Sequence, residues 1–388
     1  MNILILNAYS RNSLAVVNHL DREYGLVGAA ARNALCERIG SARWLKSPRL
    51  KDIERYTNPQ IDADRFREDI VGICCRRSID AVIPTGTVTT NFLSRFKQDL
   101  EARTGAKMLV EEYRTLSRLT DKWHTYRLCS GLGVPVPKTA LVRDEPSFYE
   151  ELRTFSPPIV LKPRISYAAR GVAFFDSQEA FERRLGPDLF EPDGDILPWI
   201  IQEKVEGDLH DVTALAKGGR IRSLMSQRRL VSLYDFGGGG IVNITTHEPV
   251  MMEYARRILA SVSWNGVALF DFMKTRAGEY VLLEINPKFW GTTGLTIEAG
   301  LNVAQDLVDL FVRNHAVEPK HGYEVGLLYK WLFPECAYHV VHSPRTASRV
   351  FRRLQNVLSR HGASRVLNNL ELRNLAHLVC IVLERSEV

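Results

Sequence analysis

The alternation of apolar and polar residues predicts one unusually polar hairpin in the second half of the chain. Two runs with strand character, 267–273 and 280–285, flank a short polar turn, a pattern that is typical of a β-hairpin. Antiparallel pairing of the two strands would allow Asp271 and Glu284 to face one another. Asn286 follows Glu284 by two residues and therefore points to the same face. We expect these three side chains to converge.

The N-terminal part has a different pattern, in which short apolar runs alternate with amphipathic stretches. The runs 3–6, 26–31 and 79–84 predict buried strands, and 14–20 predicts a helix after the first of them, which indicates a doubly wound α/β unit. The GxGxxG fingerprint is absent, so no dinucleotide site is predicted. The hydroxyl-rich stretch Thr85–Thr90 is open to two interpretations, an N-cap turn, which we favour, or an anion-binding helix N-terminus.

Composition narrows the class of protein. The chain has 388 residues, of which 45% are hydrophobic and 25% charged, as in ordinary globular proteins with two or three structural units. The net charge is +6, but no aromatic and basic RNA-binding signature accompanies it, so a nucleic-acid partner is not expected. The six cysteines are scattered without a CxxC pair, which indicates reduced thiols and a cytoplasmic location. No signal peptide or membrane-spanning segment is predicted.

The converging acids of the hairpin have two interpretations. Two carboxylates and one amide oxygen form an all-oxygen set that suits a hard cation such as Mg²⁺. The alternative is a half-buried hairpin whose acids only face water. The stretch EINPKFWG, residues 284–291, favours the first interpretation, because it resembles the metal-binding hairpin of the ATP-grasp ligases. This resemblance implies that Asp271, Glu284 and Asn286 hold Mg²⁺ or Mn²⁺ against the phosphates of ATP.

Other stretches resemble the same family and appear in its order. Lys288 stands where many members have arginine beside the reacting acyl phosphate, which implies a catalytic role although lysine lacks the guanidinium fork. Asp121 is predicted at or near the N-cap of a helix, and Lys122, which follows it and precedes the segment GLGVPVPKT, is implied to reach the phosphates. Lys162 ends an apolar strand, where an unpaired ammonium would be unfavourable. The loop after Lys162 corresponds to the family's glycine-rich phosphate loop, but here its implied cofactor contacts fall to Ser166 and Gly171, with added positive charge from Arg164 and Arg170.

The segment Trp199–Gly207 predicts a strand that runs into a polar bend, and it resembles the family's hinge, whose backbone contacts adenine. The implied adenine contacts are Glu203, Lys204 and Val205, and the implied ribose contacts are Asp208, His210 or Asp211. A hairpin is predicted about Gly218 and Gly219, and its sheet continues as a basic strand until the glycine run 237–240, which is expected to break it. The resemblance implies that this basic strand supplies a further catalytic cation on the phosphate side. We predict Arg228 in this role and Arg229 as the second choice; a solvated arginine pair is an equal alternative.

The resemblance implies an α/β protein with the ATP-grasp fold, in which two α+β lobes sandwich ATP. A small doubly wound α/β domain is predicted before it and a helical tail after it. The predicted boundaries are 1–115 for the N-terminal domain, 116–195 for the central lobe, 196–318 for the C-terminal lobe and 319–388 for the mostly helical extension. In that extension, 345–360 and 366–383 have helical patterns, and their arginines are interpreted as a solvated face rather than an RNA-binding surface.

The implied activity is that of an ATP-dependent carboxylate–amine ligase. An acid would be phosphorylated by ATP, and an amine would then attack the acyl phosphate to give an amide or peptide, ADP and phosphate. The expected partners are therefore a small carboxylate and a small amine, and a homodimer is left open. A bicarbonate-activating carboxylase or carbamoyl-phosphate-type enzyme is the first alternative, less expected because no biotin or glutaminase module is attached. A non-catalytic ATP-binding protein is the second, favoured by the altered loop and by Lys288.

Overall fold

Five parallel strands form the first sheet of the computed structural model, which describes residues 1–32, 49–142, 145–166, 171–177, 179–180, 199–234, 237–320, 322–332, 336 and 354–369. The strands are β1 (Asn2–Leu6), β2 (Gly25–Ala31), β3 (Leu50–Tyr56), β4 (Ala81–Ile83) and β5 (Lys107–Met108). Their order in the sheet is β3-β2-β1-β4-β5. The order reverses between β1 and β4, so the predicted doubly wound arrangement is confirmed. Ligands of such sheets bind beyond the carboxyl ends of the strands at this reversal.

Helices surround the parallel sheet and lead into the next unit. They are α1 (Arg11–His19), α2 (Ala63–Arg77), α3 (Thr87–Arg95), α4 (Lys97–Thr104), α5 (Tyr113–Thr120) and α6 (Lys122–Gly131). α1 follows β1 and α3 follows β4, so both helices begin at the point where the strand order reverses. Their N-termini therefore lie at the edge of the sheet where a ligand is expected.

A four-stranded antiparallel sheet follows, together with α7 (Glu145–Leu152). Its strands are β6 (Thr139–Leu141), β7 (Ile159–Pro163), β8 (Ala173–Phe175) and β9 (Trp199–Glu203), and their order is β6-β9-β7-β8. Apolar side chains of β6, β7 and β9 pack with Phe148 and Leu152 of α7 in a small core of their own. The opposite side of β7 presents Lys162 to the centre of the molecule.

The third sheet has seven strands in the order β14-β13-β10-β11-β12-β15-β16. They are β10 (Gly207–Lys217), β11 (Arg220–Tyr234), β12 (Gly237–Thr246), β13 (Gly266–Thr275), β14 (Tyr280–Asn286), β15 (Leu327–Lys330) and β16 (Arg365–Asn368). Neighbouring strands are antiparallel except for the parallel pair β15 and β16. The predicted hairpin about Gly218 and Gly219 is confirmed, and both glycines have positive φ.

The two faces of the seven-stranded sheet differ in polarity because strand side chains alternate. One face packs against α8 (Pro249–Ser261), where Met251, Ile258 and Leu259 bury with Phe270 and Leu282. Each such side chain contributes about 1.5–3 kcal/mol through burial. The other face carries acidic and basic side chains and faces the four-stranded sheet. The sequence thus fixes an apolar base under a polar cleft.

The parallel-sheet domain is joined to the seven-stranded sheet by a shared core. Ile5 and Val17 pack in one cluster with Phe289, Trp290 and Leu307, the last of them in α10 (Val303–Phe311), which follows the short helix α9 (Thr293–Glu298). Phe289 and Trp290 are therefore core residues, as their usual fate predicts. This core fixes the N-termini of α1 and α3 relative to the end of β14.

Two predicted elements are corrected by the structure. The glycine run 237–240 was expected to break the sheet, but it begins strand β12, where Gly240 leaves room for the side chain of Asn243. The helix expected from Val366 is wrong at its start, because residues 365–368 pair with β15 as a strand; the rest of it lies outside the described residues, as does most of 345–360. In the described part of the chain, no helix is long and apolar enough to cross a membrane.

Candidate active site

The predicted metal hairpin consists of β13 and β14. Asp271 lies directly opposite Glu284 in the register of the two strands, and a bulge follows at Leu283. Asn286 Nδ2 lies 3.1 Å from Asp271 Oδ2 and 3.2 Å from Glu284 Oε1. The predicted convergence of the three side chains is thus present. Because the amide orientation follows from the hydrogen-bond network, rotation of Asn286 would present its oxygen instead and complete a set of three oxygen donors.

The electrostatics of this cluster suit a divalent cation. Burial raises the pKa of Asp271 well above its usual range, opposed by Arg229 and reinforced by Asp211 and Glu284. A metal ion between the carboxylates would relieve this repulsion. In the described residues, no three His, Cys, Asp or Glu side chains gather into a metal site. Asn286 and the oxygens of a bound nucleotide would therefore complete the coordination, as is usual for Mg²⁺.

Two buried lysines face the acidic cluster from the other side of the cleft. Lys122, at the start of α6, is 9% exposed, and Lys162, in β7, is 8% exposed. Lys122 Nζ lies 3.8 Å from Glu284 Oε2 and donates to the carbonyl and hydroxyl oxygens of Ser166 at 3.2 Å. Burial and the charge of Lys122 lower the pKa of Lys162 to about 8, while Glu284 opposes the shift. The two ammonium groups form a pair that an anion would stabilise.

The same lysines control the ionisation of Glu284. Burial alone would raise the pKa of this carboxyl, but Lys122 and Lys162 overcome that effect and hold it at about 2. The side chain of Glu284 is 36% exposed, within the cleft. Glu284 is therefore an ionised carboxylate between the hairpin and the lysines, available to a cation.

The position of Lys122 is fixed by the residue before it. Asp121 caps α6 by accepting from the backbone N–H groups of Trp123 at 2.9 Å and His124 at 3.3 Å, as the sequence predicts. The guanidinium of Arg164 forms an ion pair with Asp121, and the backbone carbonyl of Arg164 accepts from Lys122 N at 3.0 Å. Burial opposes ionisation of Asp121, but these contacts lower its pKa. Arg164 is thus directed to the helix cap rather than to the phosphate loop, which corrects the expectation for this residue.

The loop after β7 is described only at its two ends, and Arg170 lies outside the described residues. Ser166 lines the cleft beside Lys122. Gly171 has φ +71°, and a Cβ there would lie 2.8 Å from Pro163 Cγ. Gly171 therefore allows the chain to return over the end of β7, whereas a direct phosphate contact for it remains a prediction.

The hinge residues line the opposite end of the cleft, as the predicted adenine site requires. Glu203, Lys204 and Val205 border it together with the apolar side chains of Val160, Phe174 and Met273. The carboxylate of Glu203 accepts from Lys138 N at 2.9 Å. Glu203 N also donates to Lys138 O at 3.0 Å, so the segment is tied to the start of β6. Asp208 borders this end as well.

Strand alternation places two other predicted contact residues, His210 and Arg228, away from the cleft. His210 pairs in register with Arg228 and with Phe272, so His210 and Arg228 lie on the face that packs against α8. His210 is 2% exposed, and Arg228 pairs with Asp208 at 2.8 Å. Neither borders the cleft. Asp211 lies on the correct face, but its carboxylate is engaged by Gln227 and Arg229. Asp208 borders the cleft, but its carboxylate pairs with Arg228, so a ribose contact of Asp208 stays a prediction. A one-residue shift in a strand reverses its face.

The arginine of β11 that enters the site is Arg229, the second choice from the sequence. Its guanidinium contacts Asp271 and binds Asp211 with Nη2–Oδ1 and Nε–Oδ2 distances of 2.5 and 3.0 Å. Gln227 Nε2 donates to Asp211 at 2.7 Å. Burial opposes ionisation of Arg229, but the two aspartates raise its pKa. The residue shares the face of Asp271. Counting through the turn at Gly218 and Gly219 would have placed Arg228 there instead, because a bulge between Leu215 and Ala216 shifts the register by one residue.

Lys288 lies beside the hairpin cluster, as predicted. Burial lowers its pKa; Asp271 and Glu284 oppose the shift and Arg11 reinforces it. Its backbone N–H donates to Asn286 O at 2.9 Å, so a tight turn after β14 directs the side chain. Lys288 borders the cleft, where it adds a positive charge next to the proposed metal ligands.

The two antiparallel sheets and the N-termini of α1 and α3 border one cleft of about 1320 Å³. This exceeds the roughly 300–1,000 Å³ of a typical small-molecule site, so the cleft has room for a nucleotide and a second substrate. Sequence reasoning missed Ser10, Arg11 and Asn12 at its far end, which is also bordered by Thr87, Ser232, Gly238, Gly239, Trp290 and Gly291. Within the stretch Thr85–Thr90, Thr87 borders the cleft. The N-cap residue of α3 is Gly86, which has no side chain to cap the helix, so the favoured interpretation of a hydroxyl N-cap is wrong.

Comparisons with known proteins agree with this geometry. Residues 119–292 match the family model of the ATP-grasp domain. The chain is 24% identical over 323 residues to the D-aspartate ligase of Enterococcus faecium, covering 75% of this chain and 74% of that protein. It is 24% identical over 210 residues to the coenzyme gamma-F420-2:alpha-L-glutamate ligase of Methanococcus maripaludis, covering 51% of this chain and 70% of that protein.

A solved structure shows the same fold. The biotin carboxylase domain of the Hydrogenobacter thermophilus 2-oxoglutarate carboxylase, a dimer in complex with MgADP, ADP and bicarbonate, superposes with a TM-score of 0.67. The two chains are 12% identical, and the match covers 84% of this chain and 73% of that chain. At this identity the similarity concerns the fold alone.

Proposed function

We propose, from the premise that this chain is an ATP-grasp domain protein related to carboxylate–amine ligases, that it is itself an ATP-dependent carboxylate–amine ligase. ATP would lie between the four-stranded and seven-stranded sheets, with adenine at Glu203–Val205. Lys122 and Lys162 would hold the phosphates, while Asp271, Glu284 and Asn286 would hold Mg²⁺ or Mn²⁺. The bound metal would supply charge neutralisation at the phosphates.

One observation carries this proposal. Within a single cleft, two carboxylates and an amide of the seven-stranded sheet face the buried ammonium groups of Lys122 in α6 and Lys162 in β7, and Lys122 Nζ approaches Glu284 Oε2 to 3.8 Å. A bound triphosphate with a divalent cation supplies the missing charges for both sides, because the phosphates face the lysines and the cation faces the acids. Phosphoryl transfer depends mainly on such positioning and charge stabilisation.

The chemistry would then proceed in two steps. The substrate carboxylate attacks the γ-phosphorus, the bond to the β-phosphate oxygen breaks, and ADP leaves. The amine then attacks the acyl carbon, phosphate leaves with the C–O bonding electrons, and the amine loses a proton. Lys288 and Arg229 are the cations next to the metal ligands and would stabilise the acyl phosphate. Closure of the cleft would protect it from water.

The names of the two relatives suggest the substrate class. One acts as a D-aspartate ligase and the other as an L-glutamate ligase, so both handle an acidic amino acid. We extend this class to the present chain and expect an acidic amino acid as one of its two substrates.

The direct test is a matrix of acids and amines incubated with the protein, MgATP and, in parallel, MnATP. Both enantiomers of aspartate and glutamate belong in the matrix, and bicarbonate without an amine serves as the carboxylase control. We expect ADP and phosphate release that requires both an acid and an amine, together with an amide product identified by mass. ADP release with bicarbonate alone would support the carboxylase alternative, and stoichiometric ATP binding without turnover would support a non-catalytic protein.

A variant test separates the site from the fold. Glu284→Gln combined with Asn286→Ala should lower turnover by at least about 10³-fold, because the metal loses two ligands. Thermal unfolding should show a folded, cooperative protein. Glu279→Gln, in the exposed turn of the same hairpin, is the matched control and should retain full turnover. Unchanged turnover in the double variant would contradict the assignment.

A further inference from the structure

Gln227 is a buried polar residue in the middle of β11 that the proposed mechanism does not use. It is 0% exposed. It lies opposite Asp211 of β10 in the strand register, and Asp211 lies opposite Asp271 of β13. Residues paired in this way point to the same face of a sheet, so Gln227 shares the face of the proposed metal ligands. It is not among the described residues that border the cleft, so it can act on the site only through its neighbours.

The amide of Gln227 makes two hydrogen bonds that lead in different directions. Nε2 donates to Asp211 Oδ2 at 2.7 Å and to Thr292 Oγ1 at 2.8 Å, which engages both N–H groups of the amide. Asp211 belongs to the sheet, whereas Thr292 lies at the end of the turn that follows β14. That turn begins at Pro287 and contains Lys288. One side chain therefore joins the sheet to the turn.

Each end of this connection leads to a group of the proposed active site. On the sheet side, Asp211 binds the guanidinium of Arg229, with Nη2–Oδ1 and Nε–Oδ2 distances of 2.5 and 3.0 Å, and Arg229 contacts Asp271. On the turn side, Lys288 precedes Thr292 in the same turn and borders the cleft. The metal ligand Asp271 and Lys288 are thus linked through buried side chains as well as along the chain.

The orientation of the amide is fixed by its neighbours. If the amide were turned, its oxygen would lie beside the carboxylate of Asp211, and two acceptors would be in contact. In the observed orientation, Gln227 Oε1 has no partner among the described protein atoms. At this position glutamine therefore differs from an apolar side chain of similar size by its two N–H contacts, and a substitution can remove those contacts.

We infer that Gln227 is a positioning residue that sets the position of Lys288 relative to Asp271. This role rests on the proposed ligase function and deepens it, because the metal held by Asp271 and the ammonium of Lys288 would stabilise the same acyl phosphate. A displacement of about 1 Å between such groups can lower a rate about 100-fold. Lys122 and Lys162 lie on other elements, so binding of the phosphates should not depend on Gln227.

Steady-state kinetics test this role. In Gln227→Met, kcat should fall about 10- to 100-fold, while KM for ATP should stay within about twofold because the lysines that hold the phosphates are unaltered. Thr292→Val removes the hydroxyl that accepts from the amide and should lower kcat in the same way. Thr292→Ser keeps the hydroxyl and should restore most of kcat. Unchanged kcat in either Gln227→Met or Thr292→Val would overturn the inference.

The combined variant tests whether the two residues act through one bond. Gln227→Met together with Thr292→Val should be about as slow as Gln227→Met alone, because the hydrogen bond between them can be lost only once. Losses in kcat that multiply in the combined variant would show two independent effects and would refute the connection.

A measurement without turnover keeps the test independent of the proposed function. The ligand-free protein is acetylated with a limiting amount of acetic anhydride, and the modification of each lysine is followed by mass spectrometry. In Gln227→Met, the rate at Lys288 should rise at least about threefold because the turn opens more often, whereas the rate at Lys122 should not change. An unchanged rate at Lys288 would overturn the inference.

Thr245→Val is the matched control. Thr245 lies opposite Gln227 on β12, is 1% exposed and donates to Glu324 O at 2.7 Å, so its loss should lower the melting temperature without changing kcat or the acetylation of Lys288. If both quantities change as in Gln227→Met, the effect is one of general destabilisation and the role of Gln227 is refuted. If no pair of substrates gives turnover in the unaltered protein, the ligase proposal fails and acetylation alone decides whether Gln227 holds the turn.

Discussion

The two walls of the cleft hold their charges in opposite ways. On the seven-stranded sheet, Arg229 is packed between Asp211 and Asp271, so these three buried charges have partners within the same wall. On the four-stranded side, Lys162 has the ammonium of Lys122 as its neighbour, and this repulsion adds to the effect of burial. The acidic wall is therefore stabilised by its own contacts, whereas the basic wall is stabilised chiefly from across the cleft. A bound nucleotide would therefore stabilise the basic wall more than the acidic wall.

The pKa shifts express this difference as stability. Glu284 has its pKa lowered to about 2, so it stabilises the folded protein at neutral pH, and this contribution is lost as the pH falls through that value. Lys162 has its pKa lowered to about 8 from 10.5. The unfolded chain thus binds more protons between these values, so the ammonium destabilises the ligand-free protein fully below about pH 8 and ceases to do so above 10.5.

The largest effect is expected from removal of the arginine within the acidic wall. Arg229→Met leaves Asp211 and Asp271 buried without their cation, and loss of one partner of a buried pair lowers stability by about 3–5 kcal/mol. Arg228→Met is the matched control, because Arg228 pairs with the exposed Asp208 and such pairs contribute about 0–1 kcal/mol. Urea unfolding of both variants measures the difference. Equal losses would contradict the assignment of Arg229, rather than Arg228, to the site.

An intermediate effect of opposite sign is expected in the basic wall. Lys162→Met should weaken binding of the ATP analogue by about 100-fold, because a charged contact to phosphate is lost. The same change should raise the melting temperature of the ligand-free protein, since it removes a buried and repelled ammonium. Calorimetry and thermal unfolding of one sample give both quantities.

The matched control for this change is Lys217→Met. Lys217 donates to Leu310 O at 2.7 Å in the seven-stranded sheet, away from the cleft. It should leave nucleotide affinity unchanged. A Lys162→Met protein that is less stable than the unaltered protein would show that Lys162 is compensated within its own wall, and the contrast between the walls would fail.

The sequence predicted the parts of this contrast that depend on local pattern. The hairpin, the register of Asp271 with Glu284 and the cap of α6 by Asp121 follow from alternation and helix-start chemistry, and the structure confirms them. The choice between Arg228 and Arg229 required knowing which of them shares a face of the sheet with Asp271. That depends on the register of β11 with β10 and of β10 with β13. Helix and strand propensities also cannot show that Gly239 and Gly291 leave space for the side chain of Arg11, which is distant in sequence. Sequence reasoning therefore missed Arg11.

The smallest predicted effect is a pH dependence that isolates one lysine. With a pKa of about 8 in the ligand-free protein, Lys162 is mostly protonated at about pH 7 and mostly neutral at about pH 9. Phosphate favours the protonated form, so affinity for the ATP analogue should fall about 10-fold across this range. The exposed lysines of the chain keep their charge there and contribute no such slope. The affinity of Lys162→Met for the ATP analogue should therefore not change between these pH values. A pH dependence that persists in this variant would show that another group titrates, and it would contradict the lowered pKa of Lys162.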